Sequence, residues 1–241
     1  MTCTLVPGRD HAQQFQRRGR SVLLLWCIMP LLAVMAGTVH AQAQIPVEWM
    51  SAPKRSTLDL MFFRNIRKTK GGGAGPFLFF HRTRSVWDHR MTATTYLPAF
   101  GLTNAASWNP AALKGFAPVA VLSWLNRGLL PKGGIQYARV RKHLTLFGWL
   151  VADMRSPSNA DLFALVRWTP KLKGRRHAFL QAESLNTLPA APAAPLQFVQ
   201  RLRLGLQPGA FQAGFGVDAS QSGRGILTST LHPGLFLRYS F

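Results

Sequence analysis

The 241-residue sequence predicts an all-β fold: an antiparallel transmembrane β-barrel of 10–12 strands, 12 favoured, behind an N-terminal signal peptide. Three observations lead there. Segments of about ten residues alternate apolar with small or polar side chains, and Gly, Pro and Asn clusters separate them. No stretch after residue 43 approaches the run of about 18 apolar residues that a helical span needs. Charge is scarce, at 15% of residues, and one-sided, with 29 Lys and Arg against 8 Asp and Glu.

The N-terminal element comes first in order. Arg17, Arg18 and Arg20 precede the apolar run 22–39, and small residues follow at Ala41 and Ala43. A basic start, an apolar stretch and an A-x-A-like end make a secretory signal, with cleavage expected after Ala41 or Ala43. A transmembrane helix is the competing reading, and Pro30 within the run opposes it. Arg17-Arg18 alone is too little for a twin-arginine signal. Cys27 follows Trp26 rather than a small residue, which argues against a lipoprotein. Cys3 and Cys27 both fall in the removed part, so the mature chain is expected to carry no thiol or disulfide. The chain divides into 1–43, signal peptide with an extension; 44–56, a short N-terminal segment; and 57–241, the barrel.

Within 57–241 the expected strands are 57–67, 76–87, 91–103, 116–126, 134–141, 143–154, 161–168, 176–185, 196–206, 210–219 and 231–241. In 196–206, Leu196, Phe198, Leu202, Leu204 and Leu206 share one face, with Gln200 the exception. Arg201, Arg203 and Gly205 lie on the other. Pro208-Gly209 then makes a tight turn. Eleven strands break the even-number rule, and the region around 104–134, with Pro110, Pro118 and Pro131, is where forward and backward counts disagree. Counted from the C-terminus, 141–143, 169–175 and 207–209 become periplasmic turns, and 186–195 and 220–230 outer loops. Counted from 57, 88–90 is a periplasmic turn and 103–115 an outer loop.

At the C-terminus, Leu235, Leu237, Tyr239 and Phe241 alternate with Phe236, Arg238 and Ser240. This resembles the final strand of bacterial outer-membrane β-barrel proteins. The resemblance implies a location in the outer membrane of a Gram-negative cell. It implies contact with outer-membrane lipid and lipopolysaccharide, and an assembly signal at Tyr239 and Phe241 read by the barrel-assembly machinery. The segments 113–118 and 200–204 are also similar to small barrels of this kind, a likeness that implies no activity. A soluble β-sandwich is the competing fold. It would need a charged outward face, whereas here Trp87, Trp149, Trp168, Tyr239 and Phe241 recur toward strand ends, as an interfacial girdle does.

The basic residues need a place. An Arg at the lipid midplane costs about 2–4 kcal/mol. Arg82, Arg84, Arg139, Arg141, Arg167, Arg201, Arg203 and Arg238 are therefore expected to line the lumen, with Asp59, Asp153, Glu183 and Asp218. Such a lumen is either filled by ion pairs or an anion-favouring passage. The basic stretch 169–176 (Lys171, Lys173, Arg175, Arg176) could meet lipopolysaccharide phosphates, but the strand count places it at the periplasmic end, as a solvated turn.

Enzyme chemistry finds little support. A lipase or deacylase needs a Ser nucleophile beside a His base, and no compact His-x-Ser-Asn arrangement is present. Asp88-His89 is the one suggestive pair, and Glu183 could act as a lone base, but a turn and an ion pair are the more ordinary readings. The glycine-rich segment 71–75 lacks the lysine ending of a phosphate loop, and no metal-ligand spacing occurs, so no cofactor or metal is expected. A signal peptide opposes nucleic acid as a partner. The sequence therefore predicts a small pore or transport barrel for small anionic solutes. A closed barrel with an ion-paired lumen and a surface-interaction role is the alternative, and an outer-membrane hydrolase comes after both.

Overall fold

The structure is a computed structural model that describes residues 45–66, 75–89, 99–126, 128–156, 158–174, 176–191, 194–224 and 226–241. The expected signal peptide, the glycine segment up to residue 74, and residues 90–98 lie outside the described residues.

Among the described residues twelve strands form one closed antiparallel barrel: β1 (Pro46–Ala52), β2 (Arg55–Asn65), β3 (Phe77–Asp88), β4 (Ala99–Trp108), β5 (Phe116–Leu125), β6 (Gly128–Val140), β7 (Leu144–Asp153), β8 (Ala160–Trp168), β9 (Arg176–Leu188), β10 (Leu196–Pro208), β11 (Phe211–Arg224) and β12 (Ile226–Ser240). Each strand pairs with its sequence neighbours, and β1 closes the ring on β12, Pro46 opposite Ser240 and Ser51 opposite Leu235. Closure leaves no long sheet edge to satisfy, which is what permits strands to cross a membrane. Followed once round the ring, the register returns to β1 displaced by about 16 residues, the stagger that accompanies tilted strands.

The period-two pattern sorts each strand into two faces. In β5, Ala117, Val119, Val121 and Ser123 are buried inward, and Phe116, Pro118, Ala120, Leu122 and Trp124 are exposed outward. The outer wall is largely apolar and includes Leu58, Ile135, Leu150, Leu162, Leu202, Leu204, Phe215, Leu235 and Leu237. A soluble sandwich would bury such residues; a barrel presents them to hydrocarbon. Aromatic side chains ring the end where β1 starts and β12 finishes, the terminal end of the barrel: Phe77 beside Trp108, Phe116 against Tyr137, Trp168, and Phe211–Tyr239–Phe241 with successive centroids 4.7 Å apart. Toward the opposite end, Trp49 stacks on Trp87 at 5.7 Å. Trp149 leaves the expected girdle, because it points into the lumen and is buried.

Several boundaries move. The missing twelfth strand is β1, inside the segment 44–56, rather than anything in 104–134. It has seven residues, and Glu48 interrupts its apolar character. The expected strand 91–103 is observed as β4 from Ala99, and 103–115 is a strand end plus a short connection with a 3-10 turn at Ala111–Leu113, not an outer loop. β6 starts six residues before the expected 134, since Pro131 and Gly133-Gly134 read as a turn yet lie within the strand. The Gly/Ser-rich 220–230 is not a loop: β11 and β12 continue through it with residue 225 alone between them. With β1 counted, strand direction puts Asp88 and His89 at the end away from the start of β1, and the β6–β7, β8–β9 and β10–β11 turns at the terminal end. Gly209 takes φ +70° in that last turn, a left-handed conformation that favours glycine.

Candidate functional site

The lumen is the site that gathers the most chemistry, and two groups of inward side chains occupy it. The first is aromatic. Phe80 on β3 lies 5.2 Å from Phe147 on β7, 5.1 Å from Trp149 on β7 and 6.4 Å from Phe163 on β8, and Phe63 on β2 lies 4.8 Å from Phe147. β3 and β7 are four strands apart in the ring, so these contacts cross the interior rather than run along the wall. Met61, Val119, Val121, Val151 and Leu165 pack around them. Stacked and edge-on aromatic pairs of this kind add about 0.5–1.5 kcal/mol each beyond the area they bury.

The second group is ionic, and it also spans the lumen. Arg82 on β3 bonds Asp59 on β2 and reaches Glu183 on β9, at the opposite side of the ring, with Nη1–Oε2 2.8 Å. Arg84 on β3 reaches Asp218 on β11 at 2.7 Å. Arg201 meets Glu183 at 3.1 Å. Arg203 bridges Asp218 at 2.8 Å and Glu48 on β1 at 2.9 Å, and Arg238 closes on Glu48 from β12. Arg55 adds a contact to Asp218 at 3.3 Å. Arg167 donates to Gln181 Oε1 at 2.8 Å, and Gln181 donates to Glu183 at 2.6 Å. The Arg238 guanidinium also lies over the Phe179 ring, 4.7 Å from its centroid, at a separate small apolar cluster of Met50, Ala52, Phe179 and Phe236. The cavity among Pro46, Glu48, Asp59, Met61, Arg167, Glu183 and Arg238 has about 10 Å³, the size of one water.

The electrostatic logic follows from burial. Asp218 is 1% exposed and Arg203 2%. Each would be costly alone in a medium of low dielectric, and planar guanidinium groups that share carboxylates make each tolerable. The network fixes the walls at set separations, as struts do. A second, smaller ion cluster lies toward the end away from the termini, where Lys132 bonds Asp153 and Asp161, each at 2.7 Å.

Of the residues expected to line the lumen, Arg82, Arg84, Arg167, Arg201, Arg203, Arg238, Asp59, Asp153, Glu183 and Asp218 have inward side chains, and all but Asp153 share the main network. Arg139 and Arg141 do not. Arg139 is exposed on the outer wall, out of phase with the buried Gln136 and Ala138, and Arg141 is exposed in the β6–β7 turn. Their apparent alternation ends with the strand at Val140. Sequence reasoning missed Glu48, Arg55, Lys132 and Asp161. Glu48 and Arg55 lie in the segment 44–56, and Lys132 sits in a run that looks like a turn. Tyr239 and Phe241, the residues expected to form an assembly signal, stack on the outer wall at its terminal end. His89 contacts Ser56 Oγ through Nε2 at 2.9 Å, at the end away from the termini.

The outer wall carries two polar clusters of its own. On β3 and β4, the Thr83 hydroxyl meets His81 Nε2 at 2.9 Å, and His81 Nδ1 donates to Asn104 Oδ1 at 2.8 Å, with Phe62 and Phe79 beside the imidazole. A hydroxyl, an imidazole and an orienting amide in that order have the connectivity of an activated nucleophile. The main-chain N–H groups around them, however, belong to the β2–β3–β4 ladder and are already engaged there rather than free to hold an oxyanion. The cluster's evident work is to satisfy its own polar atoms on an apolar surface. On β9 and β10, Gln200 donates to Ser184 Oγ at 2.9 Å and Asn186 Oδ1 at 3.2 Å, which accounts for the one polar interruption in its row. Both clusters were legible only as alternation: His81-x-Thr83 puts two polar residues on one strand face.

Neither a protein-family model nor a curated protein sequence matches the chain. Among solved structures it is similar to a bacterial polysaccharide outer membrane secretin, at 8% identity over 85% of this chain and 100% of that one, with a TM-score of 0.41. It is also similar to a triple mutant of Rhodopseudomonas blastica porin, at 11% identity over 82% of this chain and 97% of that one, with a TM-score of 0.21. Neither similarity reaches far enough to pass any property of those proteins to this one.

Proposed function

We propose that the protein is a closed, non-conducting β-barrel of the outer membrane, with a structural or surface-interaction role, rather than an anion-selective pore. The observation that carries this is the Arg82–Glu183 pair, which joins strands on opposite sides of the ring. A passage through the middle would have to break it, together with the Phe80–Phe147–Trp149 stack. An anion path needs cations free to meet the permeant ion, and here Arg82, Arg84, Arg201, Arg203 and Arg238 each hold a carboxylate. The apolar outer wall and its aromatic ring support the membrane setting. Exported protein reconstituted in liposomes loaded with chloride tests the proposal. Efflux no faster than from empty liposomes is expected. Efflux that rises with protein content and favours anions would establish a pore in its place.

A further inference from the structure

Among the described residues, the most one-sided charge on the surface lies at the terminal end. Two turns meet there. The β6–β7 turn carries Arg141 and Lys142, and the β8–β9 turn carries Lys171 and Lys173, with Arg176 opening β9. All five are exposed, and Arg139 adds a sixth cation on the lipid-facing wall beside them. The turns form one preorganised surface. Thr169 N–H donates to His143 O at 2.9 Å, His143 Nδ1 donates to Thr169 O at 3.0 Å, and the His143 and His177 rings stack at 5.6 Å. Leu172 N–H donates to Arg176 O at 2.9 Å, which holds the second turn in shape. A groove of about 570 Å³ runs between Lys173 and Arg176 on one side and Pro208 and Gly209 on the other.

No acidic side chain among the described residues answers these charges. Glu48, Asp59, Asp153, Asp161, Glu183 and Asp218 are in the lumen, and Asp88 is at the opposite end. The patch also adjoins the lipid-facing wall, immediately beyond Trp168 and Tyr137, side chains that settle at the headgroup level of a bilayer. From this we infer that the terminal rim is a binding surface for anionic phospholipid, with Arg141, Lys142, Lys171 and Lys173 at the phosphate plane and Arg139 extending toward it from the wall. The inference rests on the membrane-barrel reading. Lipid phosphate fits better than a soluble acidic partner because Arg139 stands on the wall itself, where only lipid arrives. Cations at a membrane surface each strengthen attachment to anionic lipid severalfold, within a Debye length.

Full-length exported protein, isolated from membranes and placed in nanodiscs of phosphatidylcholine with a minority of phosphatidylglycerol, tests this by native mass spectrometry of the lipids retained. The expected result is preferential retention of phosphatidylglycerol. Retention should fall about fivefold per charge removed in Arg141→Gln/Lys142→Gln/Lys171→Gln/Lys173→Gln. It should not change in Lys54→Gln/Arg155→Gln/Arg224→Gln, at the other rim. Equal retention of the two lipids by the unaltered protein, or equal loss in both variants, would overturn the inference. A heat-dependent gel shift is run on all three proteins. Its absence from the unaltered protein would refute the barrel reading instead. With the shift kept by all three, a failure of selective retention counts against the lipid surface alone.

Discussion

Asp218→Asn should be among the most damaging isosteric changes in the protein. The carboxylate is 1% exposed and holds Arg84 at 2.7 Å, Arg203 at 2.8 Å and Arg55 at 3.3 Å, with Arg201 at 4.0 Å. The amide keeps the shape and removes the charge. Four guanidinium groups from β2, β3 and β10 then face one another with Glu48, Asp59 and Glu183 left to share. Removal of one partner from a buried pair destabilises by about 3–5 kcal/mol, because the remaining charge stays buried. Here several cations lose a counterion at once, so the upper part of that range is expected. The assay is urea unfolding in lipid, followed by tryptophan fluorescence and by gel mobility without boiling. A double-mutant cycle with Arg84→Gln isolates the cross-lumen term, since removal of one surplus cation should restore part of the loss. A loss below about 1 kcal/mol, or strict additivity with Arg84→Gln, would show a wet lumen in which these charges are screened, and the strut argument would fail.

Other predictions follow from single features. Phe80→Ala removes the ring that touches Phe63, Phe147, Trp149 and Phe163 and should cost about 3–5 kcal/mol in the same unfolding assay. Gly214→Val should prevent assembly, seen as loss of the heat-dependent gel shift, because a Cβ there would stand 2.1 Å from the Leu204 carbonyl oxygen. On the outer wall, Asn104→Leu should destabilise by about 1–3 kcal/mol by leaving the His81 Nδ1–H unpaired, and His81→Phe/Asn104→Leu should recover most of that loss, since an apolar pair suits lipid. A single variant no worse than the double would show that the imidazole finds another partner.

The barrel was legible because its code is local. Alternation in β5, β10 and β11 follows from which face each residue must present, and no distant contact is needed to read it. What defeated the sequence reading was local resemblance to something else. β1 has an acid on its inward face, and Glu48 makes sense only once Arg203 and Arg238 arrive from 155 and 190 residues away. Pro131 and Gly133-Gly134 mimic a turn, yet Gly134 is required where a Cβ would meet the Leu150 carbonyl oxygen at 2.1 Å. Arg139 shows the limit of the charge argument. Near a strand end an Arg can stay on the outer wall with its head at the membrane surface, so lipid cost alone does not send every arginine inward. Whether the lumen is open or strapped could not be read from the chain at all, because Arg82 and Glu183 are 101 residues apart and meet only through closure of the ring.

That contact is the most direct point of attack. Solid-state NMR on the protein in bilayers, with arginine side-chain ¹⁵N and glutamate ¹³C labels, reads the Arg82–Glu183 coupling, assigned by its loss in Glu183→Gln. A strong coupling, as a 2.8 Å Nη1–Oε2 contact requires, is the expected result. No coupling, with the guanidinium exchanging freely with water, would mean an open lumen, and the closed-barrel account would be wrong.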